Sequence, residues 1–238
     1  MPYNFLVAAW QHLLVATFET EKKLLEKYLP YGTELHEWNG KYLLSLVAFM
    51  FNNTSLLGIP MPFYRQFEEV NLRFYVRQKT KEGWKNGVVF IKEVVPATLI
   101  GWVAHFLYRE NFVALPMKHS IRQAAGRLTV EYSWQIKQQT NYLKIITAEK
   151  PQLPGTGTID SFITERYFAY TRKSSNRTLN FGIRHSPWKI YPLIDFSMKI
   201  NVDALYGKEF CHTFEQQPVT VFLVDGSRTA VSKPGLIN

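Results

Sequence analysis

A chain of 238 residues, 46% hydrophobic and 15% aromatic, carries 28 Lys and Arg against 19 Asp and Glu, a net charge of +9. That length buries enough surface for a core without metal or cross-links, and the single cysteine, Cys211, excludes an internal disulfide and a zinc site built on several thiolates. The basic residues are spread along the chain, the densest group being Arg172, Lys173 and Arg177, so no nucleic-acid stripe is expected.

The first run, MPYNFLVAAWQHLLVATFE, lacks a basic leader and a cleavage site and is interrupted by Gln11 and His12. It reads as neither signal peptide nor membrane span, and a cytoplasmic protein without membrane contact is the expectation. Residues 12–18 suit a strand. Thr20 then offers an N-cap, and Leu24, Leu25, Tyr28 and Leu29 recur at helical spacing until Pro30. Asn39-Gly40, between ELHEW and KYLLSLVAFMF, is a two-residue type I′ hairpin signal, and the second of these runs is apolar on both faces.

The stretch EEVNLRFYVRQ alternates, with Val70, Leu72, Phe74 and Val76 on one side and Glu69, Asn71, Arg73, Tyr75 and Arg77 on the other. Glu69, Asn71 and Arg73 therefore share a face. They either line a polar cavity able to orient a small anion or form a solvent-facing surface. Glu68 goes with the apolar set and needs a partner if buried. KEGWKNG turns the chain into VVFIKEVV, and residues 97–109 read as a helix after Pro96. GRLTVEYSWQIK and YLKIITAEK are long strands, followed by the Pro/Gly-rich loop KPQLPGTGT and the segment IDSFITERYFAYTR. TLNFGIRHSPWKIYPLIDFSMKINV, DALYG and PVTVFLVDG read mostly as strand with short turns. Residues 227–238 read as a loose tail, leaving one domain over residues 1–226. Roughly ten strands and two or three helices give an α+β fold, mostly antiparallel, curled into a barrel.

The usual catalytic motifs are absent: no G-x-S-x-G elbow, no phosphate-cradling glycine loop and no H-E-x-x-H pair. The six histidines have no metal-ligand spacing, so neither metal nor cofactor is expected. His185, three residues before Trp188, could move a proton near neutral pH or be held in a wall. Lys118 could be an amine nucleophile if buried among Leu115, Pro116 and Met117; on an extended segment only one of Met117 and Lys118 can face a given cavity.

LPYGTELHEWNGKYLLSLVAFMF, EEVNLRFYVR, YRENFVALPMKHS, FITERYFAYT and RHSPWK together resemble the YqjF-like family of uncharacterised bacterial proteins, over roughly residues 8–225. That family is similar in fold to acetoacetate decarboxylase, which implies a curled β-barrel or β-cone with a central cavity. In the enzyme an arginine–glutamate pair precedes an apolar approach, a proline and two lysines. Arg109 and Glu110 match the pair and Ala114, Leu115 and Pro116 the approach. Met117 then falls at the imine-forming lysine and Lys118 at the second, while the enzyme's cavity glutamate falls near Glu68 or Glu69.

The reading that results is a small-molecule cavity walled by Glu69, Asn71, Arg73, Arg109, Met117, Glu165, Arg166, His185 and Trp188. Arginines outnumber carboxylates in that set, which suits an organic acid. The same residues could instead form a paired structural network. Whether the protein is an enzyme stays open, with His185, Glu69 and Lys118 as catalytic candidates. The alternatives are a lyase of the acetoacetate decarboxylase type using Lys118 and a basic domain that binds a partner or nucleic acid. Homo-oligomer formation is left open.

Overall fold

Alternating apolar residues recur through most of the chain, and in the computed structural model, which describes residues 4–61, 65–96 and 112–238, these runs are strands. The first half comprises β1 (Asn4–Thr20), α1 (Lys22–Glu26), β2 (Glu34–Leu35), β3 (Tyr42–Leu56), β4 (Ile59–Pro60), β5 (Gln66–Thr80), β6 (Gly83–Pro96) and β7 (Phe112–Leu115). There follow β8 (Met117–Ala124), β9 (Arg127–Ile136), β10 (Gln139–Ala148), α2 (Ile159–Thr164), β11 (Phe168–Ser174), β12 (Arg177–Arg184) and β13 (Ile190–Tyr191). The chain ends with β14 (Leu193–Lys199), α3 (Val202–Tyr206), α4 (Cys211–Glu215), β15 (Thr220–Ser232) and β16 (Gly235–Ile237). No described helix is long and apolar enough to cross a membrane.

Strands β15, β1, β3, β5, β6, β11 and β12 pair in that order, and β12 returns to β15 through Ile183–Val231 and Arg184–Ala230. The large sheet thus curls until its ends meet, as the inherent twist of strands allows. A second sheet, in the order β14-β10-β9-β8, lies against its outer face.

Curling gives each strand an inside and an outside. On β5, Val70, Leu72, Phe74 and Val76 face outward and pack with Leu128, Val130, Trp134, Leu143 and Ile145 of the second sheet. Tyr75 faces inward and packs with Leu13, Val47, Phe49, Val88 and Phe222 from β1, β3, β6 and β15. β3 is buried on both faces because it runs between these two cores.

Close backbone approaches fix two glycines. Gly87 lies where β6 meets β11 in parallel, and a Cβ there would sit 2.5 Å from the Phe168 carbonyl oxygen. Gly226, at φ +81°, faces Gln11 at a bulge of β1 where the register shifts between Gln11 and Leu14 and His12 adopts φ +52°. A Cβ on Gly226 would sit 1.9 Å from the Trp10 carbonyl oxygen.

Several sequence expectations are corrected. Thr20 still belongs to β1 and its hydroxyl bonds Thr213 at 2.7 Å, so Glu21 is the N-cap of a helix that ends at Glu26, short of Pro30. Asn39 and Gly40 do turn at φ +47° and +79°, but the hairpin is only the Trp38–Lys41 bridge, because β2 pairs with β5 instead. The DALYG region is helical: Asn201 caps α3 by accepting from the Ala204 amide, and Leu205, Tyr206, Phe210 and Phe214 bury in the outer core. Helices of five residues form through such burial rather than propensity, so no periodicity announced them. Residues 227–238 are not loose, since β15 runs to Ser232 between β1 and β12, and β16 pairs with β12. The helix expected over residues 97–109 lies outside the described residues.

Gly226→Ala combines left-handed strain with a backbone clash, and should lower unfolding free energy by at least about 2 kcal/mol in urea titration. An unchanged midpoint would show that the bulge relaxes around the methyl group.

Candidate active site

The inside of the curled sheet is not completely filled. A cavity of about 170 Å³ remains, walled by aromatic residues including Trp10, Phe49, Phe51, Phe67, Phe90 and Trp188. Its polar lining comes from Glu69, Asn71 and Arg73 on β5, Glu93 on β6, Thr164 at the end of α2, and Arg166 just after it. The alternation of β5 dictates this arrangement: its apolar set faces the outer core, so its polar set must face the interior.

Burying these groups demands partners. The Asn71 amide donates to Glu69 Oε1 at 2.9 Å. Glu93 lies opposite Asn71 across the β5–β6 ladder and is 5% exposed. Arg166 emerges where α2 ends; the helix is started by Thr158, whose hydroxyl accepts from the Ser161 amide. Its guanidinium lies 3.8 Å from the centroid of Phe162 and 5.3 Å from that of Tyr75, while NH1 donates to His36 Nδ1 at 3.1 Å. Burial pushes the Arg166 pKa down to about 10, which still leaves it charged near neutrality. Burial first, and then the charges of Arg166 and Arg77, push His36 down to about 4, which suits an imidazole that accepts from a guanidinium.

Among the residues expected in the wall, Glu69, Asn71, Arg73, Arg166 and Trp188 line the cavity. Glu165 does not: it is the exposed C-cap of α2. His185 also falls short of the lining. It lies behind Trp188, stacked at 3.9 Å on that ring and at 5.0 Å on Tyr167, with Nδ1 2.9 Å from the Ser186 carbonyl oxygen. Burial lowers its pKa. Met117 pairs with Trp134 on β9 and packs on the core between the sheets, because β8 belongs to the second sheet. Lys118, on the alternate face, is exposed. Arg109 lies outside the described residues.

Three contributors escaped the sequence reading. Glu93 is the lone acid in VVFIKEVV, and a carboxylate in an apolar strand is itself a signal of a polar interior. Trp10 and His36 carried no local signal, since their roles depend on long-range packing. No group of three or more described His, Cys, Asp or Glu residues could hold a metal ion.

The neutral form of His36 belongs to the folded state, whose pKa of about 4 lies below the ordinary 6.5. As pH falls, the unfolded chain takes up this proton first, so the contribution is whole above 6.5 and is lost on the way down to about 4. In calorimetric scans across that window, wild type should lose more melting temperature than His36→Asn. Equal losses would remove His36 from the network.

The fold is that of acetoacetate decarboxylases. The structure of the enzyme from Legionella pneumophila aligns with a TM-score of 0.64 at 11% identity, covering 100% of this chain and 88% of the other. An acetoacetate decarboxylase-like enzyme from Sphingomonas wittichii RW1 aligns at 0.65 and 10% identity, covering 99% and 94%. The enduracididine biosynthesis enzyme MppR, complexed with pyruvate, aligns at 0.61 and 10%, covering 100% and 91%. Sequence similarity is higher to the uncharacterized protein YqjF of Bacillus subtilis, 28% identical over 189 residues and covering 75% of this chain and 72% of the relative. The model of DUF2071, an uncharacterized conserved protein family, matches residues 7–228, and the chain belongs to that family.

Proposed function

We propose that the protein binds a small organic acid with an apolar body in the cavity of the curled sheet. The observation that carries this reading is the pair of buried arginines, Arg73 and Arg166, which share the lining of a largely apolar cavity with Glu69, Asn71 and Glu93. The Nε atoms of both arginines and Nε1 of Trp10 are buried without hydrogen-bond partners among the described residues. Buried donors of this kind suit a ligand that brings acceptors, and a carboxylate is the natural match for guanidinium. A volume of about 170 Å³ is below the roughly 300–1,000 Å³ of drug-sized sites, which limits the ligand to a small molecule.

The structural neighbour MppR has been captured with pyruvate, an organic acid, which agrees with this ligand class. An imine mechanism is not part of the proposal. Met117 stands where the resemblance puts the imine-forming lysine, and a thioether forms no imine. Lys118 is exposed, away from the apolar pocket that an amine nucleophile occupies. The cavity thus serves as a binding pocket, with His185 stacked behind Trp188 and positioning that wall.

Thermal-shift screening against pyruvate, 2-oxobutyrate, benzoate and phenylpyruvate tests it, with the corresponding neutral amides as controls. An acid at a hundred times its Kd should add about 2.7 kcal/mol, a shift of roughly 5 °C or more for a chain of this size. Arg73→Gln should weaken binding about tenfold or more, the loss of a charge-assisted hydrogen bond. No response to any acid, or an undiminished response in Arg73→Gln, would defeat the reading.

A further inference from the structure

Glu68 and Glu69 leave β5 on opposite faces. Glu69 enters the cavity, whereas Glu68 reaches the seam between the two sheets, with Oε1 2.6 Å from Nδ1 of His119 on β8. The carboxylate side chain is 12% exposed and the imidazole 40%. Thus a nearly buried acid holds a ring that solvent can reach.

Two more groups converge there. Tyr132 on β9 is the cross-strand partner of His119, is fully buried, and donates its hydroxyl to the His12 carbonyl oxygen at 2.9 Å. Burial and then Glu68 push its phenol well above the ordinary range, so it remains a donor. His12 occupies the bulge of β1 at φ +52°, a strained conformation for a residue with a side chain. Its Nδ1 is buried with no hydrogen-bond partner among the described residues. Burial, followed by the nearby His119, lowers the His12 pKa and keeps that ring neutral. A simple clamp between the sheets would need only the Glu68–His119 contact. Strain and an unsatisfied buried nitrogen beside it are features that collect at functional sites.

We propose that this cluster is a second functional site, in which Glu68 orients His119 as general base and acid for attack of water on a small ester. With Nδ1–H donated to the carboxylate, the lone pair of the neutral ring sits on Nε2. Nε2 takes a proton from water as the water oxygen bonds to the carbonyl carbon, and Glu68 stabilises the imidazolium. The same proton then passes to the departing alcohol oxygen as the ester C–O bond breaks, giving acid and alcohol from ester and water. The attacking oxygen is that of water, since the hydrogen-bond partners of His119 among the described residues supply a carboxylate and no hydroxyl. Met117 and Ile121 share the His119 face of β8 and pack, half-buried, on the apolar core either side of the imidazole.

The test uses the full chain and p-nitrophenyl acetate, following release of p-nitrophenolate. Wild type should hydrolyse the ester faster than an equal concentration of free imidazole. His119→Gln should lose roughly tenfold or more of the rate, and Glu68→Gln a smaller part. His212→Gln is the control, since that exposed histidine lies 3.6 Å from Glu215 outside the seam. Should either seam variant fail to fold, titration of wild type with diethylpyrocarbonate decides. Peptide mapping should then show activity falling in step with modification of His119. A wild-type rate no better than imidazole, an unchanged rate in a folded seam variant, or activity that outlasts His119 modification would each overturn the proposal.

Discussion

Two residue pairs, Ile183–Val231 and Arg184–Ala230, close the large sheet on itself, and the rest of the molecule depends on that closure. An open sheet with one face covered would leave the other to solvent, and the polar row of β5 would be an ordinary wet surface. Closure turns that row inward and surrounds it with rings from neighbouring strands. Every charged group on it must then be matched by the interior. The pairing of Asn71 with Glu69 and the packing of Arg166 over Phe162 and onto His36 follow from this demand.

The family and the neighbours separate scaffold from chemistry. Structures that share about a tenth of the sequence reproduce nearly the whole chain, so the curled sheet tolerates wholesale replacement of side chains. In this chain the scaffold sets which strand positions point in, which point out, and which reach the second sheet. Chemistry is then decided by the residue placed at each position. Met117 on the core between the sheets and Arg73 on the cavity lining are examples.

Much of this was legible in the sequence where the signal is local. The two faces of β5 followed from period-two alternation, and the Asn39-Gly40 turn from its backbone demands. The need of Glu68 for a partner was also readable, though not that His119, 51 residues away, would meet it. The rest depended on contacts remote in sequence. Glu93 becomes a lining residue only because the sheet closes, and Glu165, one residue from Arg166, is left outside by the end of α2. The final strands looked loose because their stability comes from β1 and β12 rather than from their own composition.

Glu68 and Glu69 are consecutive, and the compartments they face are separated by a single thickness of backbone. Parity alone decides which acid goes where. Inserting or deleting one residue ahead of Glu68 while the β5 pairing holds would turn both carboxylates, and Arg73 on the same strand, to the opposite face. The two compartments are thus inherited as one unit: neither can gain or lose its carboxylate by a shift of frame without doing the same to the other.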